Sequence, residues 1–169
     1  EPCRALERRG YSVTYLPVNR EGLVSPTGLA QALRPATQLV SIAYANNEIG
    51  AIQPIRKLAK VIRNFKKLQA KSYKLKASPY FHSDACQAPH FLDCRVSTLG
   101  VDLMTINSVK IYGPKGVGCL YVRRGVNLSP LIYGGGQERG RRSGTENVPA
   151  TADFAQALQL CIKLRKKES

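Results

Sequence analysis

No stretch of the 169-residue sequence approaches the roughly 18 uninterrupted apolar residues that crossing a bilayer needs. Its opening, Glu1-Pro2-Cys3-Arg4, lacks the apolar segment of a secretory signal. A membrane protein is set aside on these grounds and a cytoplasmic one is expected. CxxC pairs are also missing: Cys3, Cys86, Cys94, Cys119 and Cys161 are scattered, and an odd number cannot all pair within one chain. Reduced thiols follow, not a disulfide framework. Neither G-x-G-x-x-G nor the Walker pattern occurs, so the glycines from Gly113 to Gly118 read as backbone-permissive turns rather than a nucleotide loop. Acidic residues are scarce: 11 against 26 basic ones give a formal net charge of +15, which favours anionic partners of every kind.

The basic residues gather from Arg56 to Lys76, from Arg139 to Arg142 and in the tail Lys163 to Lys167, the first and last of which read as solvated helix faces. With 43% hydrophobic residues, a chain of this length can bury one core, so one domain is the starting expectation. A helical pattern from Pro2 to Arg9 stops at Gly10, and Tyr11 to Leu16, rich in β-formers, predicts a strand closed by Pro17. Ser25-Pro26-Thr27 offers a helix start and Pro35 a stop. Gln38 to Tyr44 predicts a buried strand ending in the turn Asn46-Asn47-Glu48. After Pro54, Ile55, Leu58, Ala59 and Ile62 recur at helical spacing, and this helix is expected to fade in the basic stretch Lys66 to Lys76, an exposed extension. Apolar strands are predicted at Pro79 to Ser83, Val101 to Ile106 and Val117 to Val122, with a last helix from about Pro149 to Lys166. Alternating helices and nearly continuous apolar strands predict an α/β fold, a mostly parallel sheet covered by helices on both faces.

In such sheets ligands gather at the carboxyl ends of the strands. The polar residues there are Asn46 and Asn47, Asp84 and Gln87, and Asn107, Ser108 and Lys110. A lysine amine forms an imine with an aldehyde once its pKa is lowered. An aspartate facing a pyridinium nitrogen keeps that nitrogen protonated, and carboxamides orient a phenolic oxygen. Together they suit a flat, anionic, heteroaromatic cofactor. Singly, Asp84 reads equally well as a helix cap and Lys110 as a surface lysine.

Four blocks occur in order: Ala45-Asn46-Asn47-Glu48-Ile49-Gly50, Phe81 to Ala88 (FHSDACQA), Val101 to Gly118 (VDLMTINSVKIYGPKGVG) and Gly134 to Asn147 (GGGQERGRRSGTEN). They resemble the cofactor core of cysteine desulfurases and selenocysteine lyases. The resemblance covers the chain apart from the basic insertion around Lys66 to Ala77. It implies a class-V aminotransferase-like enzyme of fold type I that uses pyridoxal 5'-phosphate, with residues 1–169 the central part of the large domain and the helix 149–167 leading toward a small domain. It implies Lys110 as the lysine that holds the cofactor covalently, Asp84 as the ring-nitrogen partner, and Asn47 and Gln87 near the ring oxygen. Thr145 is implied as a phosphate contact to the neighbouring subunit of a homodimer, and Lys115 as a turn residue. Asn107, Ser108 and Val109 stand where the family usually has serine, a small residue and histidine, so phosphate contacts fall to Asn107 or Ser108.

The resemblance also implies parts not seen in this sequence: an upstream phosphate loop with a ring-stacking histidine, and a downstream mobile-loop cysteine with a substrate-binding arginine. The expectation is therefore L-cysteine desulfuration to L-alanine and a persulfide, passed to an acceptor protein, with the isolated chain inactive. Selenocysteine lyase is the alternative within the family. Outside it stand a metal module of His82, Asp84, Cys86, His90 and Cys94, whose irregular spacing argues against it, and a basic nucleic-acid-binding module, for which no recognisable motif speaks.

Overall fold

A computed structural model describes residues 1–71 and 79–168. The elements run α1 (Pro2–Glu7), α2 (Pro26–Ala32), β1 (Leu39–Ala43), α3 (Ile55–Lys71), β2 (Tyr80–Asp84), α4 (Val96–Leu99), β3 (Leu103–Asn107), a 3-10 turn (Ser108–Ile111), β4 (Gly118–Val122), α5 (Gln137–Gly140) and α6 (Val148–Glu168). The sheet order is β1-β2-β3-β4. The β1·β2 and β2·β3 pairs are parallel and β3·β4 is antiparallel.

Local chemistry accounts for the boundaries. Ser25 caps α2 by accepting from the Gly28 amide at 3.3 Å, with Pro26 supplying a first helical residue that needs no hydrogen-bond partner for its nitrogen. Pro54 opens α3 with its carbonyl accepting from Leu58 N. Gly100 closes α4 in a left-handed conformation, φ 73°.

Ile55, Leu58, Ala59 and Ile62 are all buried, as their spacing predicts, and meet Val40, Ile42, Phe81, Met104 and Ile106 from one face of the sheet. Leu29 of α2, Leu99 of α4, and Phe154 and Cys161 of α6 complete this core. Each such aliphatic side chain contributes about 1.5–3 kcal/mol through burial.

Three expectations change. Tyr11 to Leu16 forms no strand: Tyr11 and Tyr15 are each 59% exposed, and the only pairing nearby is the isolated bridge Val18↔Val24. β-Propensity expresses packing on a half-buried sheet, and no neighbouring strand provides one here. The second concerns the sheet, whose helices gather on one face among the described residues. On the other, Leu39, Ser41, Ala43 and Asp84 are exposed and His82 and Thr105 half-buried. Leu103 is buried on this face, while Ser41, His82 and Thr105 bond one another across the strands.

The third concerns the basic stretches, where Arg56, Lys57, Lys60, Arg63, Lys67 and Lys163 are exposed as expected but the helix length and two side chains differ. α3 does not fade at Lys66 but continues to Lys71; Ala77 and its basic neighbours from Ser72 on lie outside the described residues. Lys66 is not on a solvated face, because its Nζ meets Asp102 Oδ2 at 3.0 Å. Arg165 of α6 likewise turns inward and donates to the carbonyls of Pro89, at 3.3 Å, and Leu92. No helix among the described residues is long and apolar enough to cross a membrane.

Candidate functional site

The parallel register sets Ala43 beside Asp84 and Asp84 beside Thr105, so the carboxyl ends of β1, β2 and β3 form one edge. The turn after β1 is fastened by Asn46, whose Oδ1 accepts from Glu48 N at 2.8 Å and Ile49 N at 3.0 Å. Asn47 stands exposed within it. Asp84 ends β2, and its Oδ1 accepts from Cys86 N at 3.0 Å, opening a turn that carries the half-buried Gln87. Asp84 therefore holds its own turn rather than capping a helix.

After β3, Asn107 Oδ1 accepts from Val109 N at 3.1 Å and starts the 3-10 turn, from which Lys110 extends into solvent. Lys110 lies close enough to the Asp84 turn for its positive charge to act on the Cys86 thiol. Lys115 instead lines a hollow of about 350 Å³ with Asn107, Val109 and Gly116 to Gly118, on the β4 side of β3 and away from β2. Position alone separates the two lysines.

Ser108 is not presented to this edge. Its side chain is fully buried, and its Oγ is without a hydrogen-bond partner among the described residues. A Cβ placed on Gly113 would meet that Oγ at 2.2 Å and Ala157 Cβ at 3.2 Å, so only glycine allows the turn to close against α6. The Ser108 hydroxyl is thus turned inward, while the Asn107 Nδ2 is not used by the turn.

Thr145 is exposed on the loop between α5 and α6, and no hydrogen bond joins it to the strand-end residues among those described. That loop is held at its base by Gly144 N donating to Gln137 Oε1 at 3.0 Å and Gly136 N to Ser143 Oγ at 3.3 Å.

Cys86 follows Asp84 closely, and its thiol is pushed up to about 12, first by burial and then by the hydrogen bond and charge of Asp84. It is a protonated thiol at neutral pH. His82, one residue pair behind Asp84 on the open face, bonds Ser41 Oγ through Nδ1 at 2.8 Å and Thr105 Oγ1 through Nε2 at 2.9 Å. Burial lowers its pKa, against a smaller upward pull from Asp84. Sequence reasoning met His82 only as a metal donor, whereas both its nitrogens are taken, and His90 is turned to Cys161 Sγ at 3.4 Å. The signal for the Ser41-His82-Thr105 row was the recurrence of one polar residue between two buried ones in three successive strands.

The sequence profile described as "Aminotransferase class-V" matches residues 1–169. The chain belongs to the class-V aminotransferase family. It is 48% identical over 168 residues to a cysteine desulfurase IscS of Dictyoglomus turgidum, covering 99% of this chain and 40% of that protein. It is 45% identical over 165 residues to the mitochondrial cysteine desulfurase of Saccharomyces cerevisiae, covering 96% of this chain and 31% of that protein. Among solved structures, one titled "NIFS-LIKE PROTEIN" superposes with TM-score 0.89 at 36% identity, covering 98% of this chain and 42% of that one. The chain thus spans less than half the length of these relatives.

Class-V aminotransferases and cysteine desulfurases depend on pyridoxal phosphate. The donor set at the strand ends fits the ring of that cofactor: an exposed amine, a carboxylate with one oxygen unengaged by the turn, and carboxamides at both flanks. It fits the phosphate less fully, since Ser108 faces inward and Val109 has no polar atom to offer beyond its backbone.

Proposed function

We propose that this chain carries the cofactor-holding part of a pyridoxal-phosphate-dependent cysteine desulfurase acting on L-cysteine. The observation behind this reading is the convergence of Asp84, at the end of β2, and Lys110, just past the end of the adjacent β3, with the lysine's charge felt at the Asp84 turn. When bound, the cofactor supplies an electron sink for negative charge at the substrate α-carbon.

Lys110 Nζ would hold the cofactor covalently, and its amine would carry the substrate α-proton. Asp84, through the oxygen not used by Cys86 N, keeps the proton on the ring nitrogen. Asn47 and Gln87 orient the ring oxygen, and Asn107 Nδ2 donates to the phosphate. Thr145 reaches the phosphate of a second copy in a homodimer. The sulfur leaves on a thiolate supplied from outside these 169 residues, since none of the five cysteines presents one at this edge, and passes to an acceptor protein. Five free thiols suit a reducing compartment such as the cytoplasm.

Borohydride reduction in the presence of pyridoxal phosphate, followed by peptide mapping, tests the assignment. Label on Lys110 is expected; label on Lys115 in its place would overturn it.

A further inference from the structure

At the opposite end of the sheet, where β2 and β3 begin, lies a hollow of about 330 Å³ that the proposed chemistry does not use. Arg63, Lys66, Asp102 and Arg123 line it, together with Ser97 and Gly100. Asp102 is 5% exposed and its carboxylate is fully engaged. Oδ1 forms an ion pair with Arg123 Nε at 2.8 Å, and Oδ2 accepts from Lys66 Nζ at 3.0 Å and the Phe81 amide at 2.9 Å.

That leaves donors in excess. The Arg123 guanidinium meets Asp102 as an ion pair and donates no side-chain hydrogen bond among the described residues, so it has donors left for another acceptor, and the Lys66 ammonium has further protons. Arg63 makes no ion pair among the described residues. Its guanidinium lies over Gly100, with Nη1 3.5 Å from the position a Cβ would take there, which is ordinary van der Waals distance. Three cations against one saturated carboxylate leave two positive charges in excess around a concave space. Bringing them together without an anion is unfavourable, and a dianion would reverse the sign of that interaction.

We propose that this hollow binds a phosphate monoester dianion, held by Arg63 and by the donors of Lys66 and Arg123 that Asp102 leaves unused. The charge selects a monoester, with about two negative charges at neutral pH, over the singly charged diester of a nucleic-acid backbone. The hollow and the cofactor edge lie at opposite ends of the strands, so the two sites are independent and this inference stands whether or not Lys110 holds a cofactor.

Calorimetric titration of the protein at pH 8 and constant ionic strength, with inorganic phosphate, glycerol 3-phosphate and dimethyl phosphate in turn, tests it. Saturable binding of the first two, and not of the diester, is expected. Arg63→Gln should weaken that binding at least fivefold, Arg63→Lys should restore most of it, and Ser97→Asp, which puts a carboxylate into the hollow from a different element, should weaken it again. Lys110→Ala should leave it unchanged. Binding of the diester equal to the monoester, wild-type affinity in both Arg63→Gln and Ser97→Asp, or loss of binding in Lys110→Ala would each overturn the proposal.

Discussion

The Val109 amide is committed to Asn107 Oδ1 at 3.1 Å, and its isopropyl group remains 41% exposed beside Lys110. An apolar side chain here gives an anion nothing, while the family usually places histidine at this position. Replacing it tests how much of the cofactor's affinity this one residue withholds. Because position 109 is exposed, an imidazole there needs no repacking and would reach a phosphate held, as proposed, by Asn107. A hydrogen bond to a charged group contributes about 1.5–3 kcal/mol, and solvent exposure puts this one at the low end. Val109→His is therefore expected to tighten pyridoxal phosphate binding by about tenfold, read from the cofactor's absorbance on titration. The gain should shrink as pH rises and the imidazole loses its charge. No gain at pH 6 would show that the phosphate lies elsewhere.

Among the elements, α3 owes its length to a contact no local pattern announces. Its fully buried apolar residues end at Ile62, with Phe65 half-buried one turn on, and the basic residues beyond read as a fraying end. Lys66 instead reaches Asp102, which sits between the end of α4 and the start of β3 and joins α3, β2 and β4 through Lys66, the Phe81 amide and Arg123. Removing that carboxylate leaves a buried amide unsatisfied and two cations unpaired. Fully buried pairs broken in this way cost about 3–5 kcal/mol, but Lys66 and Arg123 can turn to water, so Asp102→Ala is expected to destabilise the protein by about 2 kcal/mol. Asp102→Asn, which keeps an acceptor for Phe81 N, should lose about half as much. Urea denaturation checks both, and equal losses would show that the charge rather than the amide contact matters.

The same contrast explains what the sequence made legible. β1 to β4, α2, α3 and α6 were readable because apolar spacing, Ser25, Pro26 and Pro54 act within a few residues. Tyr11 to Leu16 misled because strand formation depends on a neighbour. The Asp84 and Lys110 positions were legible as strand ends, whereas the inward turn of Ser108 depends on Gly113 and Ala157, the latter 49 positions away in α6.

Across the whole molecule, desulfuration needs two things in one place, an electron sink and a thiolate in line with the substrate sulfur. The first is what the cofactor would supply if held, as proposed, by Asp84 and Lys110. For the second, the five thiols can be taken in turn. Cys94, in the turn beneath α6, is pushed up to about 12 by burial, and Cys161 is buried in the core against His90. Cys119, on β4, is raised by burial and, less, by Glu138, and it stands across β3 from the Asp84 turn. Cys3 lies on α1, among elements that contribute nothing to the strand-end edge. Cys86 alone is near the site, and with its thiol at about 12 only roughly one molecule in ten thousand carries a thiolate at pH 8. Its backbone amide is also anchored on Asp84, and its thiol faces the Thr105 carbonyl at 4.0 Å. The 169-residue chain with added pyridoxal phosphate is therefore expected to release sulfide from L-cysteine no faster than the free cofactor, and Cys86→Ala to leave that rate unchanged. Since a raised thiol pKa means that charge appears only as pH climbs toward 12, moving the assay from pH 7 to pH 9 should bring no protein-dependent rise. Turnover well above free cofactor that disappears in Cys86→Ala would make Cys86 the nucleophile and overturn the assignment of that role to a thiol from outside these residues.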